Sequence, residues 1–284
     1  MSNDIAASQS TTQANGRLLI TGAAGALGRV LREALAKELE HGQMWSHIRV
    51  SDRAPIVDVK NHEEVVICDL ANRAAMESLL KDVNAVVHLG GQAVETPFEG
   101  VCESNIKGVF NLYEAARLSG CNRVVMASSN HVSGCYDQGQ FVSPDMPARP
   151  DGYYGVSKLF AEGMASMYFD RYGIETVNVR LGSVIPKPED RRGLSTWLSY
   201  PDFVRLTQAA LCAKGVGCLT VYGVSANSQK WWSELGWDKI GYVPQDNAEA
   251  WRAELEKKVF PEGSMMAKKQ GGIFLDLGPF GPVA

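Results

Sequence analysis

The chain has 284 residues, with 28 lysines and arginines against 32 acidic residues, a formal net charge of −4, 45% hydrophobic residues and 21% charged ones. This is the composition of an ordinary globular chain with room for one large domain, and it excludes a basic surface built for nucleic acid or an anionic membrane. The six cysteines include no Cys-x-x-Cys, and no histidine stands at metal-ligand spacing from them. No metal site is therefore expected, and the thiols read as reduced. Residues 1–15 are small and polar, without the regions of a signal peptide, and read as a disordered tail. No apolar run reaches the length of a membrane span, so the expected address is the cytoplasm.

Arg17–Thr21 reads as a first strand, running into Gly22, Gly25, Ala26, Leu27 and Gly28 and then a helix from Val30. Strand, glycine turn and helix form a cradle for a dinucleotide. Gly22 permits the tight turn, Gly25 lets backbone approach a pyrophosphate, and Gly28 lets the helix pack close. The helix N-terminus offers free N–H groups to the phosphates. A second strand, His47–Ser51, ends at Asp52, whose carboxylate suits ribose hydroxyls and repels a 2′-phosphate. That predicts NAD over NADP, although Arg53 follows directly. Glu64–Cys68 is a third strand; Asp69, followed by Leu70, contacts the adenine or caps a helix over 72–81. Ala85–Leu89 is a fourth strand, apolar throughout as a buried parallel strand is, and it ends at Gly90-Gly91. His88 within it reads more readily as a core histidine than as a ligand.

A long helix is expected over 98–118, with Asn105 on it either facing solvent or acting as a buried amide. A fifth strand, Arg123–Ala127, ends in Ser128, Ser129, Asn130 and His131, a concentrated set of polar groups where ligands of open parallel sheets bind. A Gly- and Pro-rich loop leads to a helix over 154–171, and Glu175–Leu181 is the sixth strand. This alternation gives an α/β fold with a doubly wound parallel sheet of Rossmann type over 16–182. The chain then changes character: a polar loop from Ser183 to Gly193, a helix over 202–213, and a strand near 218–224 that returns to the sheet. Trp231, Trp232 and Trp237 fall in a short helical region, as core packing or, less readily, as a sugar-stacking platform, and 247–257 reads as a helix. Residues 183–217 and 225–284 are expected to form a small substrate-binding cap.

On the helix after the loop, Tyr154 and Lys158 stand four residues apart and share a face. A phenol alone, with a pKa near ~10, is a poor base at neutral pH. A cation beside it favours the phenolate, so the pair makes a general base.

Thr21-Gly22, Gly25, Gly28, Asp52, His88–Gly91, Ala127–His131, Tyr154–Lys158, Leu194–Ser199 and Gln270–Gly272 together resemble the extended short-chain dehydrogenase/reductase family, which includes epimerases and dehydratases, and within it the branch that oxidises uronic acids. The likeness runs from about residue 16 to about 275. It implies that Tyr154 is the base, Lys158 its tuner and ribose anchor, Ser129 the holder of the reacting oxygen, and Asn105 the support of a proton relay. It further implies NAD bound by the residues from Gly22 to Gly28, by Asp52, Asp69, Leu70, Leu89, Gly90, Gly91 and Lys158. The sugar acid would be bound by Ser129, Asn130, His131, Tyr154, Ser183 and Arg192, although Arg191 competes for the carboxylate. A homo-oligomer is also implied. Gln92-Ala93 replaces a serine usual after the Gly-Gly, and Val132-Ser133 replaces threonine-isoleucine. The expected function is NAD-dependent oxidation of a hexuronate at its anomeric carbon to the aldarolactone. The alternatives are a sugar epimerase or dehydratase, a neutral-aldose dehydrogenase, or a non-catalytic NAD sensor.

Overall fold

The computed structural model describes residues 16–39 and 45–277; the expected tail over 1–15 lies outside the described residues. Seven strands pair in parallel throughout: β1 (Gly16–Thr21), β2 (Trp45–Asp52), β3 (Glu63–Ile67), β4 (Ala85–His88), β5 (Arg123–Ser129), β6 (Glu175–Leu181) and, after two short strands, β9 (Cys218–Gly223). Their order in the sheet is β3-β2-β1-β4-β5-β6-β9. Chain order reverses between β1 and β4, and the crevice beyond the carboxyl ends of these strands is where such folds bind ligands. The two-residue strands β7 (Ser183–Val184) and β8 (Trp197–Leu198) pair with each other outside the main sheet.

Helices cover both faces. On one side α1 (Ala26–Leu39) packs its Leu31 and Leu35 against Leu18, Ile20, Val50 and Val87 of the sheet. On the other, α2 (Arg73–Leu79), α4 (Gly108–Ser119) and α5 (Tyr153–Tyr172) bury Met76, Leu112, Tyr113 and Ala161 against Leu19, Val86 and Val124. The α1 face is completed by α7 (Tyr200–Cys212), through Phe203, Leu206 and Ala210.

The segment expected as one helix over 98–118 is helical throughout but not uniform. It begins as α3 (Phe98–Val101), widens into a π-turn over Cys102–Lys107, and continues as α4. The π-turn holds one residue more than an α-turn would, and such turns concentrate at functional sites. Asp69 does not cap α2: the helix starts one residue after Asn72, whose side chain accepts from the Ala75 N–H, while Asp69 accepts from Ala71 within its own turn. Trp231 and Trp232 are not helical, because Val142 pairs with this stretch as an extended segment, donating to the Trp231 carbonyl and accepting from Ser233. Only Trp237 enters a helix, α8 (Trp237–Ile240). All three tryptophans lie in the core, with Trp232 stacked on Tyr222 at 4.9 Å, so the stacking platform is absent. The helix expected over 247–257 is a capped 3₁₀ turn (Ala248–Trp251) followed by α9 (Arg252–Leu255). With α6 (Gly193–Thr196), these form a small satellite cluster around Leu194, Trp197, Ala248 and Leu255. A last short helix, α10 (Phe274–Leu277), closes the described chain. Among the described residues, no helix is long and apolar enough to cross a membrane.

Candidate active site

A cleft of about 670 Å³ runs along the carboxyl ends of the strands. It is lined by every residue expected for cofactor, substrate and catalysis except Asn105, which lies just behind its wall. The glycine turn has the shape its residues demand. Gly22 has φ +71°, and a Cβ there would come within 2.7 Å of the Gly90 backbone; one on Gly28 would come within 2.3 Å of the Gly22 carbonyl. Gly25 accepts from Arg29, and the first turn of α1, with its unpaired N–H groups, opens on the cleft through Ala26, Leu27 and Gly28. Asp52 holds this turn directly, its Oδ2 accepting from the Ala24 N–H at 3.0 Å and its Oδ1 from Ala54. This donor set fits a dinucleotide: N–H groups and a helix N-terminus could hold a pyrophosphate, and the Asp52 carboxylate could take ribose hydroxyls, with Asp69 and Leu70 lining the same cleft.

His88 is a core residue. It is 1% exposed, its Nδ1 lies 2.8 Å from Thr21 Oγ1, and burial, aided by the charge of Lys158, pushes its pKa down to about 3.

Tyr154 and Lys158 meet on one face of α5, with Nζ 5.6 Å from the centre of the phenol ring. Both are buried. Burial pushes the phenol up to about 12, and the charge of Asp151 adds to the rise, against the opposing hydrogen bond of Ser129. Burial also pushes Lys158 down to about 8. In the protein alone, burial rather than the lysine's charge sets the direction of the phenol's shift.

Asn105 is the buried amide, not a solvent-facing one. Its Oδ1 accepts from the Gln92 N–H at 2.7 Å, and its Nδ2 donates to the Gln92 carbonyl and to Ser157 Oγ, which in turn donates to the Tyr154 carbonyl. Gly91, at φ +134°, leaves room for it. The amide therefore pins the loop after β4 to the helix that carries Tyr154.

Asn130 and His131 follow β5 in a 3₁₀ turn capped by Ser129. The Nδ2 of Asn130 is buried without a partner. Ser183 lies on β7, bonded to Thr196 at 3.0 Å. The two arginines are placed differently: Arg191 is exposed, whereas Arg192 is buried and lines the cleft. Arg192 donates to the Gln270 carbonyl, yet its Nε has no partner, and among the described residues none forms an ion pair with it. Burial lowers its pKa.

Four further residues complete the site, of which only Gln270 stood in a stretch named above, with no role given to it. Glu95 caps α5, accepting from the N–H groups of Tyr153 and Tyr154 at 2.8 and 3.0 Å. Asp151 stands 2.6 Å from His131 Nδ1. Phe274 stacks on His131, and Gln270, completely buried, bonds to Trp232 Nε1. Each acts across a long sequence separation, so no local pattern marks it.

With the fold and the cleft in place, comparison with known proteins is direct. Residues 18–198 match the model of the NAD dependent epimerase/dehydratase family, and the chain belongs to that family, one of the extended short-chain dehydrogenases/reductases. It is 49% identical to the uronate dehydrogenase of Pseudomonas syringae pv. tomato over 97% of this chain and 99% of that one. The crystal structure of uronate dehydrogenase from Agrobacterium tumefaciens, also solved as a mutant complexed with NAD, superposes with a TM-score of 0.87 at 46% identity, covering 94% of this chain and 99% of that one. Glucuronic acid dehydrogenase from Chromohalobacter salexigens gives 0.86 at 42% identity, over 92% and 97%.

Proposed function

We propose that the protein is an NAD-dependent dehydrogenase that oxidises the anomeric carbon of a hexuronate, glucuronate or galacturonate, to the aldarolactone. The observation that carries this reading is Arg192: a buried guanidinium with an unpaired Nε, in the same cleft as Tyr154, Ser129 and Lys158. A buried charge without a partner is costly, and a ligand carboxylate relieves it bidentately. The likeness to uronate and glucuronic acid dehydrogenases supports the same reading.

In this scheme Arg192 holds the carboxylate, while Asn130, His131 and Ser183 meet the ring hydroxyls. Ser129 shares the C1 hydroxyl oxygen, and Tyr154 as phenolate removes its proton. Bound NAD⁺ would supply the acceptor for the hydride that leaves C1. Lys158 holds its ammonium against the phenolate and reaches the ribose. Asn105 keeps the loop and the helix in register, and the ring of the sugar stays closed, so the product is a lactone. Residues 183–217 and 225–277 form the substrate-binding part, the end of the expected cap over 278–284 lying outside the described residues.

A spectrophotometric scan for NADH with glucuronate, galacturonate, glucose and UDP-glucose tests the function. Turnover with the uronates is expected; turnover with UDP-glucose or glucose alone would reject it. Phe98, Phe110, Leu118, Val156 and Met167 stand exposed on α3, α4 and α5. This supports a homo-oligomer with an interface of about 1,200 Å² or more, which sedimentation showing only monomer would refute. All six cysteines are free thiols, in keeping with the cytoplasm as the proposed address.

A further inference from the structure

We propose that Asp151 is a positioning residue: it fixes the hydrogen-bonding sense of His131, so that Nε2 faces the cleft as an acceptor for a sugar hydroxyl. The proposal rests on the reading of the cleft as a sugar-acid site. The Asp151 side chain has no exposed surface, and its Oδ2 lies 2.6 Å from His131 Nδ1. Two glycines make the space for it: a Cβ on Gly134 or on Gly271 would come within 1.8 Å of Oδ2. An ionised carboxylate can only accept, so Nδ1 carries the proton, and in the neutral imidazole Nε2 is left with its lone pair.

The ring cannot swing away from this arrangement. It stacks on Phe274 with centroids 3.7 Å apart and 23° between planes, and it meets Tyr154 edge-on at 5.6 Å. His131 lines the cleft together with Arg192. A lone pair aimed into that space repels a carboxylate and suits an O–H donor. Arg192 and His131 thus divide the substrate between them, charge to one and hydroxyl to the other. The second oxygen of Asp151 is buried without a partner. Mere space-filling would favour a neutral side chain at such a place.

Proton–nitrogen correlation NMR of the full-length protein, labelled at its five histidines, reads the tautomer; His131 is assigned from the signal lost in His131→Gln. At a pH where imidazole is neutral, the wild type should show the proton on Nδ1. In Asp151→Asn the amide can turn its NH₂ toward Nδ1, and the proton should move to Nε2. In parallel, Asp151→Asn should raise KM for glucuronate by about 2- to 10-fold, the weight of a neutral hydrogen bond, with a smaller change in kcat. The same substitution should have no effect on KM in a His131→Ala background. A wild-type ring protonated at Nε2, or an equal loss with and without His131, overturns the proposal. The tautomer is read without turnover, so it stands apart from any failure of the uronate assignment, and the wild-type spectrum decides even if Asp151→Asn does not fold.

Discussion

Glu95 offers a quantitative test of how the catalytic helix is held. Gly152, the residue before α5, supplies no side-chain cap, and both oxygens of Glu95 take its place from 58 and 59 residues away. A Cβ on Gly152 would meet Glu95 Oε2 at 2.4 Å, so the glycine clears the approach. Loss of a helix N-cap costs about 0.5–2 kcal/mol, and loss of a carboxylate from the positive end of the helix dipole about 0.3–1 kcal/mol. Glu95→Ala should therefore destabilise by about 1–3 kcal/mol, lowering Tm by several degrees at about 2–4 °C per kcal/mol for a domain of this order of size. The N–H that Glu95 holds belongs to Tyr154 itself, and a misplacement of about 1 Å in a reacting group can cost about 10²-fold. A fall in kcat of about 10- to 100-fold is expected, larger than the stability change alone would produce well below Tm. Glu95→Gln, which can accept only one of the two N–H groups strongly, should fall between. Thermal melts followed by fluorescence and steady-state kinetics measure both effects. Glu95→Ala with wild-type Tm and wild-type kcat would refute the reasoning.

Tyr154→Phe should lower kcat by about 10²–10⁴-fold, the usual contribution of general-base catalysis, while Tyr153→Phe changes little. The buried pair loses its first proton near the lowered value of Lys158, about 8, well before the phenol's about 12, and the phenolate–ammonium form is a tautomer of the pair that results. The rate should thus rise with pH and level off above this range; a rate that is flat or falling from about pH 6 to about pH 9 would contradict a phenolate base. Arg192→Ala should raise KM for glucuronate by the weight of about 2–5 kcal/mol and change little for glucose; equal effects on the two sugars would remove the carboxylate clamp. Asp52→Asn, assayed with both cofactors, should narrow the preference for NAD over NADP by at least about tenfold. An unchanged ratio would mean that Asp52 only braces the glycine turn through Ala24.

The strands were legible because each is a short apolar run ended by turn residues, and β6 matches its expected limits. The cleft followed from them, since Gly22–Gly28, Asp52, Gly90 and Ser129 stand at strand ends, which the topology gathers. What stayed hidden depends on contacts distant in sequence. Glu95 and Asp151 are ordinary acidic residues of polar loops until the fold sets one beneath α5 and the other behind His131. Trp231 and Trp232 suited a helix by spacing, and only the pairing with Val142 makes them extended. The burial of the phenol stayed hidden as well, because charge proximity can be inferred from an i, i+4 pair, whereas the depth of burial cannot.

The π-turn over Cys102–Lys107 ties the site to chain length as well as to residue identity. Each residue of an α-helix advances the direction of its side chains by about 100°, and a π-turn spends one residue more on the same full turn, so removing any one of these six would let the turn relax to an ordinary helix that keeps α3 and α4 in phase but re-aims the side chains within it. Asn105 could survive such a deletion as a residue and still lose Gln92 and Ser157 together. A scan of single-residue deletions should find this hexapeptide intolerant irrespective of which residue is taken out, a form of constraint that substitutions alone would never reveal.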